Sequence, residues 1–286
     1  MTPFQAMCAQ RGICAEERWI PVKGREMKLL LLCSEAARDA EKRIGVLWMH
    51  AGGYLEGSAE WAIMAEAIGL IQNFPVLVIS PEYRLSSEAP YPAAFEDCCA
   101  ALLYLKDNAD TLNVRRDQLM VGGDSAGGAL AAALCMYARD TQLVNIAYQM
   151  PLYPMLDDRD TDSSRENHAP MWDTEKNHLA WKLYLGDRYG TDAIEPYAAP
   201  ARQSDLGGLP PAYTIVGELE PFRDETIAFV DALQRAGVEA SVDVYPNWFH
   251  CMNSVKPELP VCQEARKRFL EKFEYAMTHY FAEQID

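Results

Sequence analysis

Nowhere in the chain do about eighteen apolar residues run together, which leaves no segment able to cross a bilayer as a helix. The opening stretch, MTPFQAMCAQRGICAEERW, has no positively charged start followed by a long apolar run, and its plain reading is a cytoplasmic protein. The eight cysteines, Cys8, Cys14, Cys33, Cys98, Cys99, Cys135, Cys251 and Cys262, lack the C-x-x-C spacing of a zinc site. Diluted in a chain of 286 residues, they read as reduced, mostly buried thiols, and no metal is implied. Positive charge is also scarce, with 26 Lys and Arg against 42 Asp and Glu. The resulting net charge of -16, spread without long acidic blocks, disfavours nucleic acid and anionic lipid as partners. Low-complexity tracts and a disordered tail are absent as well.

What remains is an ordinary globular composition, 49% apolar and 24% charged. The length is near the limit for one hydrophobic core, so a single domain over residues 1–286 with an insertion is expected.

Short apolar runs alternate with helix-like stretches, the pattern of a mostly parallel sheet covered by helices on both faces. Strands are expected at residues 26–33, 46–49, 76–80, 118–121, 146–150, 212–217 and 240–245. Helices are expected at 59–73 with Ser58 as cap, at 92–108 with Pro92 at its start, at 129–139, at 222–236 ended by Gly237, and after Pro260. From about residue 156 to 208 the alternation breaks: a polar run, DDRDTDSSRENH, precedes an aromatic helix around 172–189. This insertion is the candidate cap, with residues 1–18 as a second contribution to it.

Gly123-Asp124-Ser125-Ala126-Gly127 fits G-x-S-x-G between an expected strand and an expected helix. Glycines on either side of the serine permit a sharp turn that projects Ser125 at a helix N-terminus, where backbone N–H groups and the helix dipole favour developing negative charge. Alone, the pentapeptide also suits a phosphate-binding turn. A serine hydroxyl needs a base, and on this fold the chain order is Ser, acid, His. His250 and His279 both follow acidic residues. His279 falls within the terminal helix as a surface or packing residue, whereas His250 lies in a strand-to-helix loop and is the expected base. His50, ahead of Ser125 and beside two glycines, reads as a residue that orients its loop. Gly52 and Gly53 bring bare N–H groups near a substrate carbonyl and, with Ala126 N–H, form a three-donor oxyanion hole.

Several further segments accompany these residues in order: His50-Ala51-Gly52-Gly53-Tyr54 with Gly57-Ser58, Glu82-Tyr83-Arg84-Leu85 with Glu88, Tyr91-Pro92-Ala93-Ala94-Phe95-Glu96-Asp97, Gly122 to Gly128, Leu209-Pro210-Pro211, Pro221-Phe222-Arg223-Asp224-Glu225, and Phe249-His250. Together they resemble the hormone-sensitive-lipase-like esterases, a bacterial branch of the α/β-hydrolases, from about Trp19 to the last helix. The resemblance implies an α/β-hydrolase fold with a small cap, a serine carboxylesterase, no cofactor, a small-molecule ester as partner, and a homodimer formed through a sheet edge.

Three departures qualify it. Ala51 replaces the first glycine of the family's H-G-G-G loop, which leaves the later two donors in place. The family's acid, an Asp just before a proline, is here Glu220; it can still orient an imidazole and stabilise its cation. Asp224, one helical turn on, is the competitor, and Glu218 is disfavoured because side chains alternate along a strand. Few residues precede the first strands, so the cap leans on the insertion.

A reduced, polar cap argues against a lipid-docking face and for short acyl chains, from acetyl to about hexanoyl. Tyr54, beside the oxyanion glycines, and Trp172, Trp181 and Trp248 are the candidate pocket residues, core packing being the favoured reading for any one tryptophan taken singly. Cys251 reads as packing, and His168 and His178 as solvated. The same site suits an arylformamidase or other amidase, and a non-catalytic receptor on a hydrolase fold is the reading of another class, disfavoured by the retained His250.

Overall fold

The computed structural model describes residues 2–64 and 66–285. An eight-stranded sheet runs through it in the order β1-β2-β4-β3-β5-β6-β7-β8. Its strands are β1 (Ile13–Val22), β2 (Arg25–Ser34), β3 (Arg43–Met49), β4 (Val76–Pro81), β5 (Val114–Asp124), β6 (Tyr148–Leu152), β7 (Ala212–Gly217) and β8 (Ala240–Tyr245). β2 is antiparallel to both β1 and β4, and every other pairing is parallel.

Period-two alternation sends successive side chains of the central strands to opposite faces. Val46 and Trp48 of β3, with Val76 and Val78 of β4, enter one core; Leu47, Met49, Leu77 and Ile79 enter the other. The first core is closed by helices α1 (Pro3–Gln10), α2 (Ala67–Asn73) and α8 (Pro260–His279), through residues such as Phe4, Leu70, Phe269 and Phe273. The second is closed by α3 (Ala93–Asp107), α4 (Ala126–Thr141) and α6 (Arg223–Arg235). The insertion contributes α5 (Thr174–Leu185), and a single turn, α7 (Met252–Val255), follows β8. None of the helices among the described residues is long and apolar enough to cross a membrane.

Residues 3–18 form α1 and most of the edge strand β1, and none of them borders the cavity described below. β1 hides behind Glu16, Glu17 and Arg18, charges tolerated because an edge strand pairs on one side only. Its hairpin to β2 turns at Lys23 and Gly24, both at positive φ (49° and 81°), as a two-residue turn of matching twist requires.

The helix expected over 59–73 is instead a 3₁₀ turn, Ala59–Ile63, followed by the short α2, and the Ser58 side chain makes no capping bond. Residue 65, inside that expected helix, lies outside the described residues. The strand expected at 146–150 is shifted to Tyr148–Leu152, because the pairing register with β5 sets its limits rather than its hydropathy.

Between α3 and the loop after β4, Asp97 is fully buried and takes both Arg84 and Arg25, with Arg84 Nε and Nη2 at 3.0 and 2.9 Å from its two oxygens. Bidentate pairing of this kind fixes geometry as well as charge. It anchors the loop that Tyr83 links to His50.

Candidate active site

β5 ends at Asp124 and α4 begins at Ala126, with Ser125 between them at φ 59° and ψ −117°. A non-glycine residue in this region is strained and persists only where its surroundings impose it. Ser125 N–H donates to Leu152 O (2.9 Å), and Ser125 O accepts from Met155 N (3.1 Å), which ties the turn to the end of β6. The flanking glycines are sterically required: a methyl group on Gly127 would lie 2.2 Å from Met49 O, and one on Gly123 would lie 2.4 Å from Gly127 O.

Under the turn, Asp124 accepts from Trp48 Nε1 and from the Tyr153 hydroxyl, each at 2.8 Å. Burial pushes its carboxyl up to about 7 against the pull of these two hydrogen bonds. The Tyr153 hydroxyl also accepts from Asn253 Nδ2 (3.1 Å), and the same amide reaches Glu66 Oε1 (2.9 Å), so the serine turn, α7 and the start of α2 share one buried polar chain.

His250, in the loop after β8, places Nε2 2.9 Å from Ser125 Oγ and Nδ1 2.6 Å from Glu220 Oε2. All three residues are buried. Phe222 stands edge-on to the imidazole at 4.9 Å between ring centroids, and Tyr153 does so at 5.3 Å. Burial favours the neutral imidazole, but the neighbouring Cys251 and Glu220 more than offset it and raise the pKa of His250. The other Glu220 oxygen accepts from Gly217 N–H. Asp224 lies elsewhere: it accepts from Ser163 N–H (2.8 Å) and Arg223 Nε (2.8 Å), so it ties the insertion to α6. Glu218 accepts from Asn247 N–H (3.1 Å) and stays away from the imidazole.

The loop after β3 carries Gly52 (φ 121°) and Gly53 (φ 59°), whose N–H groups bond to no carbonyl among the described residues. Ala126 is the first residue of α4, where an N–H has no partner within the helix. His50 holds this loop, with Nδ1 2.6 Å from Ala51 O and its ring stacked on Tyr83 at 4.1 Å; the Tyr83 hydroxyl donates to His50 O at 2.8 Å. Burial lowers the His50 pKa to about 4, so the ring is neutral.

Ser125, His250, Gly52, Gly53 and Trp172 border one cavity of about 210 Å³. Three expected pocket residues do not. Tyr54 turns away into the core, where it stacks on Tyr184 of α5 at 3.7 Å with Trp181 at 6.3 Å; the pair ties the glycine loop to the insertion. Trp248 lies behind the imidazole loop, against Tyr245 and over Gly217, bracing the segments that carry Glu220 and His250. Their size and burial are satisfied by packing, which is what buries most aromatic side chains. Cys251 packs against the core closed by α1, α2 and α8, as expected, and also borders the cavity, while Glu56, Trp61, Met64 and Met171 border it without having been expected. Their signal was adjacency: Glu56 and Trp61 follow the glycines closely, and Met171 precedes Trp172. His168 is exposed and His178 partly so, the latter 2.8 Å from Asp160. His279 is exposed on α8, stacked on Tyr275.

The parallel sheet, the strained serine at its strand-to-helix turn and the histidine after the last strand define an α/β-hydrolase. A profile of the alpha/beta hydrolase fold matches residues 46–254. Esterase LipI of Mycobacterium tuberculosis is 33% identical over 232 residues, 79% of this chain and 70% of that protein. Carboxylesterase NlhH of the same species is 31% identical over 239 residues, 81% of this chain and 73% of that one. Among solved structures, a bacterial heroin esterase superposes with a TM-score of 0.89 at 34% identity, over 96% of this chain and 88% of that one. The chain belongs to the α/β-hydrolase family, in its hormone-sensitive-lipase-like esterase branch.

Proposed function

We propose that this carboxylic-ester hydrolase cleaves short-chain acyl esters, acetyl to about hexanoyl, with Ser125 as nucleophile, His250 as base and Glu220 as the acid that orients it. The observation that carries the reading is the unbroken hydrogen-bonded series from Ser125 Oγ through both imidazole nitrogens to Glu220, opening on a cavity. Ser125 Oγ attacks the ester carbonyl as its proton passes to His250 Nε2. The resulting oxyanion takes the N–H groups of Gly52, Gly53 and Ala126. Collapse expels the alcohol, which leaves with the proton from His250; water, deprotonated by the same nitrogen, then releases the acid and restores Ser125.

Restriction to small acyl groups rests on the cavity, whose volume of about 210 Å³ is below the usual range of ligand pockets, and on Trp172. A methyl group on Gly53 would lie 2.1 Å from the Trp172 ring, so this indole closes down directly on the oxyanion loop. With p-nitrophenyl esters of increasing length, kcat/KM is expected to peak between acetyl and hexanoyl and to fall at octanoyl, and Trp172→Ala is expected to move the peak to longer chains. A higher kcat/KM on N-formylkynurenine than on any ester would replace the esterase reading by an arylformamidase. Absence of turnover on every substrate would favour a receptor.

Gly52→Ala tests the oxyanion loop. Its new methyl would lie 1.9 Å from the Glu56 carbonyl oxygen, at a φ that side chains rarely adopt, so the loop must shift. Removing one such donor costs about 2.7–4 kcal/mol, and a fall in kcat of about 10²- to 10³-fold is expected, read by steady-state kinetics. An unchanged kcat would remove Gly52 from the hole.

A further inference from the structure

Among the described residues, Glu56 is the one charged residue on the cavity wall that the relay and the polar chain beneath it do not use. It borders the cavity beside Gly52, with its Cγ 3.4 Å from where a methyl group on that glycine would lie. Its carboxylate makes no hydrogen bond or ion pair with any described residue. Among the described residues no lysine or arginine borders the cavity, and Trp61, Trp172, Met64 and Met171 make up the neighbouring wall. Both methionines are exposed, 58% and 48%, so the apolar rim continues outward to solvent.

A carboxylate beside an oxyanion loop is electrostatically unfavourable to a neutral ester, because negative charge develops next to negative charge in the transition state. A substrate that brings its own positive charge reverses the sign of that interaction. Indole rings and a carboxylate lining one cavity suit a quaternary or tertiary ammonium, since the ring quadrupole and the anion both favour a weakly hydrated cation. The chain's net charge of -16 acts in the same direction at longer range.

We propose that Glu56, with Trp61 and Trp172, forms a cation subsite and that the preferred substrates are esters carrying an ammonium group. This rests on the serine-esterase reading for turnover, though not for binding. The matched probes are acetylcholine and its neutral carbon isostere, 3,3-dimethylbutyl acetate, which share shape and leaving-group bulk. Wild-type enzyme is expected to favour the choline ester by about tenfold or more in kcat/KM, a difference of about 1.4 kcal/mol. Raised salt should shrink this preference, because the carboxylate is exposed. Glu56→Gln is expected to abolish the preference from both sides, with the choline ester slower and the neutral ester faster. An equal ratio of the two esters in wild type and Glu56→Gln would overturn the subsite.

A second arm separates this from the catalytic reading. Binding of butyrylcholine to Ser125→Ala protein, followed by tryptophan fluorescence, is expected to weaken at least fivefold when Glu56→Gln is added. Equal affinities would overturn the subsite even if both proteins were inert, whereas a lack of turnover by wild type with binding still dependent on Glu56 would overturn only the esterase assignment.

Discussion

Ser125→Ala is expected to lower kcat toward short-chain p-nitrophenyl esters by on the order of 10⁵- to 10⁶-fold, with KM changed little. The size follows from how serine relays fail: losing the nucleophile costs about as much as losing the whole triad, about 2 × 10⁶ in a hydrolase of another fold, and leaves only the oxyanion donors and binding to act. Two features of the site make the substitution clean. Ser125 Oγ has His250 Nε2 as its hydrogen-bond partner, so no other contact is lost with it. Alanine keeps the same Cβ at the same strained φ, and the backbone bonds to Leu152 and Met155 remain. Thermal unfolding should therefore stay close to that of wild type, and a large fall in its midpoint would mean that the lost rate reports misfolding. A residual kcat within tenfold of wild type would show that another group attacks the ester.

Glu220→Ala is expected to cost on the order of 10⁴ in kcat/KM, whereas Asp224→Ala should cost on the order of tenfold or less. Acid members of such relays, removed singly, have effects of about 10⁴ in other hydrolases because the imidazole loses its orientation and its cation loses a partner. Glu220 stands 2.6 Å from His250 Nδ1, while Asp224 faces Ser163 and Arg223 on the insertion. If only Asp224→Ala lost several orders of magnitude, the acid would be misassigned.

The pH profile carries an independent readout. His250 must be neutral to accept the serine proton, so activity falls as pH drops through its pKa. Burial alone would place that pKa below the ordinary 6.5, but Cys251 and Glu220 raise it. The acid limb of kcat/KM is therefore expected to have its midpoint above about 6.5. Glu220→Gln removes one of the raising causes and should move the limb to lower pH while it lowers the plateau. A limb that did not move would mean that Glu220 is not coupled to the base.

The sequence carried the proposed reacting groups more clearly than their surroundings, for a physical reason. Ser125 sits where a strained turn demands glycines on both sides, and His250 sits in the loop that chain order requires; both leave marks that are local in sequence. Glu220 was marked by its place before Pro221, a resemblance rather than a pattern of its own. The cavity wall is assembled from distant segments, and there an aromatic residue next to the glycines has two options. Tyr54 took the core, stacked on Tyr184, while Trp172, far along the chain, took the wall. Nothing in the local pattern distinguishes those outcomes, because both bury a ring. Edge strand β1 was lost for a related reason: its charged face is tolerated only because the strand has no neighbour on one side, a fact about the assembled sheet. The buried chain from Asp124 through Tyr153 and Asn253 to Glu66 is invisible for the same reason, joining four polar residues that lie in separate elements.

The central claim is that Ser125 becomes covalently acylated, and a mechanism-based phosphorylating ester such as paraoxon tests it most directly. Intact-mass analysis of the treated enzyme should show one diethylphosphoryl group per chain, with complete loss of esterase activity. Peptide mapping should place it on Ser125, and labelling should be absent in Ser125→Ala and much slower in His250→Ala. Inactivation with the label on Cys251 or on another serine, or full activity retained by enzyme stoichiometrically labelled at Ser125, would contradict the account.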